Sequence, residues 1–249
     1  MKPRRCQNKA HCLSCQLAPI LFWLIVWTLL AQGAKYLPTP FETISAVVAL
    51  LTEATTYRII LRSGIRVILG FALASLLAIL LAELPESMQG FIQLPVKILR
   101  AIPVAILALI LVFFLTPQSL SLWIPLAVVL PLVYSQARAG KLAVPEETRE
   151  LLQIYPVGFW QYLRFFYLPQ RIPYWQVALE QSFGLAMKSM VAAEVLTLPD
   201  HSLGAAVYDA KLYLNLDILL AWAIVILVLA ALGEWVLKKL LHLWSKHLE

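Results

Sequence analysis

Six apolar runs of bilayer length, each beginning or ending near proline, glycine or charge, decide what this chain can fold into. A helix needs about 20 predominantly apolar residues to cross the hydrocarbon core of a membrane. The segments Leu17–Gly33, Ile65–Ala82, Val96–Leu115, Leu122–Ala137, Trp175–Leu198 and Leu216–Val236 come near that length. In hydrocarbon each backbone N–H and C=O must be satisfied internally, so such runs fold as helices. Composition agrees, with 61% of the 249 residues hydrophobic and 14% charged, against about 25% charged in soluble domains. No stretch is polar enough for a separate soluble domain. The expectation is an all-α polytopic membrane protein with six spans in one transmembrane domain, residues 17–249, behind a tail of residues 1–16. Pro125 and Pro131 interrupt the fourth run, which is tolerated where neighbouring helices satisfy the freed backbone groups.

A net charge of +6 does not point to nucleic acid, because the basic residues sit at the ends of apolar runs rather than on one clustered face. With the N-terminus in the cytoplasm, most of the 20 Lys and Arg fall inside. Only Lys35, Arg58, Arg62, Arg66 and Lys211 fall outside, and Lys188 lies within a span. The positive-inside rule then puts both termini in the cytoplasm. The start MKPRRCQNKAHCLSCQ is basic as a signal peptide is, but no small-residue cleavage site follows the first run, which reads as an uncleaved span. Cys6, Cys12 and Cys15 stand near His11 in a spacing that matches no closed four-ligand zinc site. They read as reduced thiols of an unstructured tail.

Between the first two runs, LPTPFETISAVVALLTEATTY is too polar to cross but places Ile44, Val47, Val48 and Leu51 at helical spacing, as an interfacial helix does. The longest cytoplasmic connection, residues 138–173, is too patterned for a tether. Pro145 suits a first helical position, and Glu146 and Glu147 follow where the helix dipole favours anions. Pro156 stops that helix near Tyr155. A second helix, Phe159 to Tyr167, carries Trp160, Leu163 and Tyr167 on one side, before Leu168-Pro169 and Pro173 lead into the fifth span. Such a bent pair either presents an apolar face to another protein's groove or rests on the lipid surface.

At this loop the chain resembles the permease subunits of ATP-binding-cassette importers, in the nitrate/taurine/sulfonate branch. That family's cytoplasmic motif starts with Glu-Ala-Ala, passes a glycine and ends with Leu-Pro. Leu168-Pro169 matches the end and Glu150-Leu151-Leu152 the start, while Pro156 takes the glycine position and Gly158 stands two residues later. Further segments look like the same branch. They are Leu37-Pro38-Thr39-Pro40, Arg66-Val67-Ile68-Leu69-Gly70-Phe71, Leu99-Arg100-Ala101-Ile102-Pro103, and Val191-Ala192-Ala193-Glu194-Val195 followed by Gly204. The resemblance implies a bacterial inner-membrane permease in which two subunits pair as a homodimer and each loop seats on an ATP-binding subunit. An extracytoplasmic binding protein delivers substrate. ATP is then used by the partner, since no G-x-x-x-x-G-K-[ST] phosphate loop occurs here.

A charge at the bilayer centre costs about 2.5–3.5 kcal/mol even on the lenient insertion scale, so Glu180, Lys188 and Glu194 in the fifth run should face protein or water. On an ideal helix Glu180 and Lys188 stand about 80° apart with a rise near 12 Å. Lys188 is read either as lining a pathway, where it attracts an anionic or polar substrate, or as a structural donor to a neighbouring helix. Arg100 either snorkels to the interface or pairs with a neighbouring subunit. By family position Glu194 reads as structural or gate-forming, and Pro103 and Gly204 join it as pathway candidates. An ion-coupled secondary carrier is the alternative, but no internal repeat supports it. With no H-E-x-x-H and no Ser/His/Asp set at membrane depth, nothing in the chain reads as catalytic.

Overall fold

Local signals set where the helices begin. The computed structural model describes residues 9–33, 36–155 and 157–246, and every regular element among them is helical. Helix α1 (Lys9–Gly33) starts before the first apolar run, because nothing between Ala10 and Gln16 breaks a helix. The second half of the expected unstructured tail is therefore helical. Cys6 and the side chains of His11, Cys12 and Cys15 lie outside the described residues.

Helix α2 (Pro40–Thr52) is the expected helix between the first two runs, and it opens on a capping box. The Thr39 N–H donates to Glu42 Oε2 at 2.7 Å and the Glu42 N–H donates to Thr39 Oγ1 at 3.3 Å, which satisfies two donors that a helix start leaves orphaned. The Thr39 backbone hydrogen bond holds the Glu42 carboxyl below its ordinary range. Ile44, Val48 and Leu51 are exposed, while Val47 packs against the core.

The core is built on three long helices: α3 (Ala54–Glu83), α6 (Pro117–Leu142) and α9 (Leu168–Thr197). Helix α6 packs along both of the others. It runs unbroken through Pro125 and Pro131, which are both buried between these neighbours. Close approach comes from small residues, as is usual where helices meet in lipid. Gly70, Ala74, Ala78 and Ala82 form a buried four-residue stripe on α3. A Cβ at Gly70 would stand 2.8 Å from the Leu122 carbonyl oxygen. Helices α10 (Leu203–Leu212) and α11 (Leu216–Lys246) pack against α9 and each other, and α11 also covers α2.

The expected third span, Val96–Leu115, is not one straight helix. Helix α4 (Glu86–Ala101) and helix α5 (Val104–Leu111) meet at 104°. Pro103 removes a helical donor and holds Ile102 extended, at φ −76° and ψ 127°, so hydrophobicity continues across the break while the helix axis does not. Among the described residues α3, α6 and α11 are each long and apolar enough to cross a bilayer, and the bent α4–α5 pair makes a fourth if it is one span. The all-α membrane architecture stands, with the third of the expected runs bent at Pro103.

The loop between α6 and α9 also departs from expectation. Helix α7 (Glu146–Ile154) ends where Pro156 requires, but helix α8 (Phe159–Tyr162) does not stop before the next span. It passes through a π-helical turn (Leu163–Tyr167) directly into α9, so residues 159–197 form one helical rod. Pro169 therefore lies inside this continuous run, directly after the π turn, where it removes one helical donor.

Candidate functional site: the exposed loop and the charged helix ends

The loop turns a hydrophobic face outward. Ile154, Tyr155, Phe159, Trp160 and Phe165 are each about two-thirds exposed or more, and Phe159 stacks edge-on against Trp160 with centroids 5.7 Å apart. Of the residues matched to the family motif, Glu150 is exposed and Leu152 half-buried, whereas Pro156 and the Leu151 side chain lie outside the described residues. Gly158 begins α8 in extended backbone, φ −63°, so the bend uses no conformation reserved for glycine. Leu168 is half-buried against the core and Pro169 is exposed. Trp160 does not share a face with Leu163 and Tyr167 as the ideal period predicts. It points outward, while those two, the first and last residues of the π turn, are half-buried. Behind the loop lies a cavity of about 330 Å³ walled by Leu152, Tyr162, Phe166, Tyr167, Lys141 and Arg171.

At this loop end, a group of charges ties α3, α4, α6 and α9 together. Lys141 donates to the Leu84 carbonyl at 2.6 Å and to the Glu83 carbonyl at 3.3 Å. Buried Gln89 donates to the carbonyls of Leu81, Ala82 and Leu84, and its own Oε1 accepts from the Tyr134 hydroxyl at 2.5 Å. Between them they satisfy the carbonyls that the end of α3 leaves without helical partners. Arg138 donates to Glu86 at 2.7 Å. Arg171, 6% exposed, stacks over Tyr167 at 5.2 Å and lies 3.7 Å from Glu83. Burial first, and then the Glu83 charge, push the Tyr167 hydroxyl up to about 12. It remains a neutral donor at physiological pH.

At the opposite end, which we call the far end, Glu194 is fully buried and fully engaged. Arg66 Nη1 donates to Oε1 at 3.1 Å, the Gly204 N–H donates to Oε2 at 3.1 Å, and Ser63 Oγ lies 2.9 Å from both oxygens. Ser63 Oγ also accepts from the Leu203 N–H at 3.0 Å. One carboxylate thus joins α3, α9 and the start of α10, and its charge suits the positive end of a helix. The backbones are close enough that a Cβ at Gly204 would come within 2.3 Å of Glu194 atoms. The chain enters α10 through Leu198 and His201, both in the left-handed region at φ 48° and 50°.

The other pathway candidates lie apart from this junction. Lys188 is exposed on α9, and Arg100 and Pro103 are exposed at the α4–α5 break. Arg100 lines two neighbouring cavities. One of about 340 Å³ also holds Lys97, Arg138, Tyr134 and Ser135, and one of about 150 Å³ reaches Leu185, three residues before Lys188. Neither cavity is lined by a carboxylate. The structure thus separates the five: Glu194 and Gly204 are a buried joint, and Arg100, Pro103 and Lys188 border open space. The loop-end residues Glu83, Gln89 and Arg171 were not singled out from sequence. Their only local signal is polarity at the end of an apolar run.

Residues 70–242 match the family described as binding-protein-dependent transport system inner membrane component. The chain is 26% identical over 218 residues to the bicarbonate transport system permease protein CmpB of Synechococcus elongatus, covering 78% of this chain and 76% of that protein. It is 27% identical over 228 residues to the taurine transport system permease protein TauC of Escherichia coli, covering 88% and 82%. The fold is shared with a bacterial ABC transporter involved in the import of the acidic polysaccharide alginate, at TM-score 0.60 and 18% identity over 94% of this chain and 97% of that one. With the family matched over most of its length and the helical architecture to go with it, the chain belongs to the binding-protein-dependent transport system inner membrane components, as a permease subunit of an ATP-binding-cassette importer.

Proposed function

We propose that the loop end faces the cytoplasm, with both termini on that side, and that the exposed loop seats the ATP-binding subunit. The seat comprises Glu150, Leu151, Leu152, Pro156, Gly158, Leu168 and Pro169, together with the outward face of Tyr155, Phe159 and Trp160. That face is the observation that carries the proposal. Phe159 is 70% exposed and Trp160 77% exposed on a helix that continues into α9. Burying a side chain such as Phe159 in a partner's groove contributes about 1.5–3 kcal/mol, and an amphipathic helix in a groove is a common mode of docking.

The transported compound is a small anion. Lys97 and Arg100 border the cavity of about 340 Å³, whose lining holds no carboxylate, and Lys188 is exposed on α9. A cation at membrane depth costs about 2.5–3.5 kcal/mol, which favours a watery path over lipid for Lys188. Bicarbonate and taurine, named for two relatives, both carry an acidic group. The exposed faces of α5 and α9 meet a second copy of the chain, and an extracytoplasmic binding protein delivers the anion to the far end. A secondary carrier has no use for the loop.

The test is co-purification with the candidate ATP-binding subunit. The wild type is expected to retain it, while Trp160→Asp and the double variant Glu150→Ala/Leu151→Asp lose it. Retention by both variants removes the loop from the seat, and failure of the wild type to bind removes the proposal.

A further inference from the structure

Helices α3 and α9 run antiparallel, and each end of the pair carries one arginine and one carboxylate in opposite order. At the far end Arg66 of α3 meets Glu194 of α9; at the loop end Glu83 of α3 meets Arg171 of α9. On α3 the two sites are about 25 Å apart along the helix. Between them the helices touch through Phe71 and Phe183, whose rings meet edge-on at 5.2 Å.

The two ends differ in how completely they are made. Glu194 is fully buried, and Arg66, Ser63 and Gly204 all engage its oxygens. The other pair stands open. Arg171 Nη2 and Glu83 Oε2 are 3.7 Å apart, where a charge-assisted hydrogen bond is about 2.7–2.9 Å. Glu83 Oε1 and Arg171 Nε and Nη1 are buried with no hydrogen-bond partner among the described residues. Neighbouring cations do not compete for Glu83 Oε1: Lys141 is committed to carbonyl oxygens and Arg138 to Glu86. A guanidinium and a carboxylate can form two parallel hydrogen bonds, and a shift of about 1 Å closes this gap.

What sets the gap is the loop. Arg171 stacks on Tyr167, the last residue of the π turn, and that turn joins α8 to α9 without a break. A displacement of the outward face of Phe159 and Trp160 is therefore carried along a helical rod to Arg171. The far end is pinned by a complete set of bonds to Glu194, whereas at the loop end the contact between α9 and α3 is left incomplete. Single π turns inside α-helices are often found at functional sites.

We infer that Arg171 and Glu83 are positioning residues that form a two-state contact, open in this conformation and closed when the loop is displaced, so that α9 swings about the Glu194 joint. This rests on the reading of the loop as the seat of the ATP-binding subunit. In the closed state the pair fixes the loop end of α9 against α3; in the open state Arg171 stacks on Tyr167 of its own helical run and that link to α3 is incomplete.

Two measurements test it. The first uses the chain alone in nanodiscs and needs no ATP-binding subunit: amide hydrogen exchange along α9. The first turns after Leu168 are expected to exchange at least tenfold faster than the turns around Glu194, and equal protection at both ends overturns the pivot. The second uses the assembled transporter in proteoliposomes and reads anion uptake per ATP hydrolysed. Arg171→Gln and Glu83→Gln are expected to keep binding the ATP-binding subunit while that ratio falls by roughly fivefold or more, the lower range for coupling between sites. The exchange Glu83→Arg/Arg171→Glu is expected to restore at least half of it. A ratio equal to wild type in the single variants, even with reduced thermal stability, makes the pair merely structural and overturns the inference. Loss of ATP-binding-subunit binding by the wild type instead overturns the seat, and the exchange result still decides the pivot.

Discussion

Replacing Glu194 by glutamine keeps the side-chain volume but removes the charge that holds three helices together. The amide still accepts one hydrogen bond from Ser63 or Gly204. Arg66, with 16% of its side chain exposed, keeps its charge without a partner. Breaking a buried ion pair by removing one member costs about 3–5 kcal/mol. The lower figure applies here, since Arg66 reaches some solvent and one acceptor survives. At roughly 2–4 °C per kcal/mol for a chain of this size, the expected loss is about 6–12 °C in unfolding midpoint. The assay is thermal unfolding in detergent micelles followed by tryptophan fluorescence. Glu180→Gln is the control: Glu180 is half-buried and in no ion pair or hydrogen bond among the described residues, so its midpoint should move by no more than about 2 °C. The double variant Arg66→Met/Glu194→Met should recover part of the loss, because replacing both members of a buried pair is often close to neutral. A wild-type midpoint for Glu194→Gln refutes the reasoning, as does a double variant worse than either single change.

Gly204→Ala should fail to accumulate as folded protein, since its Cβ would meet α9 backbone at 2.3 Å, whereas Gly158→Ala should fold as the wild type does, its nearest neighbour being Gln161 Oε1 at 3.6 Å. Expression and size-exclusion profiles separate the two. Lys188→Gln should lower anion uptake several-fold without changing the amount of ATP-binding subunit retained; unchanged uptake assigns Lys188 a structural role. Tyr167 should ionise near pH 12 in an ultraviolet difference titration against Tyr167→Phe. Its folded value lies above its ordinary 10, so whatever stability the neutral hydroxyl contributes is fully present below pH 10 and is lost as pH rises through about 12.

Much of the fold was readable because it is written locally. Thr39, Pro40 and Glu42 carry the start of α2 within four residues, and the loop announced its two helices through Pro145, Glu146, Glu147 and Pro156. The bend after Arg100 was missed although Pro103 was in view, since hydropathy measures how apolar a run is and not whether its axis is straight. The π turn was missed for a related reason: no residue type by itself marks it, and Pro169 and Pro173 read as the lead into a separate span although both are carried inside one continuous helical run. Least legible were the joints. Glu194 stood out as a charge in an apolar run, but Ser63 is 131 residues away from it in sequence. Arg171 and Glu83 looked like ordinary flanking charges until the antiparallel packing brought them together. A single sequence shows that such groups need partners and is silent on which ones they find.

ATP-driven uptake tests the central claim most directly. The chain is reconstituted in proteoliposomes with its ATP-binding subunit and binding protein, and accumulation of a labelled small anion is followed for the wild type and Trp160→Asp. The account predicts uptake that needs both ATP and the binding protein, and its loss in Trp160→Asp although the variant folds as the wild type does. Uptake driven by an ion gradient without ATP, or full uptake by Trp160→Asp, would contradict it.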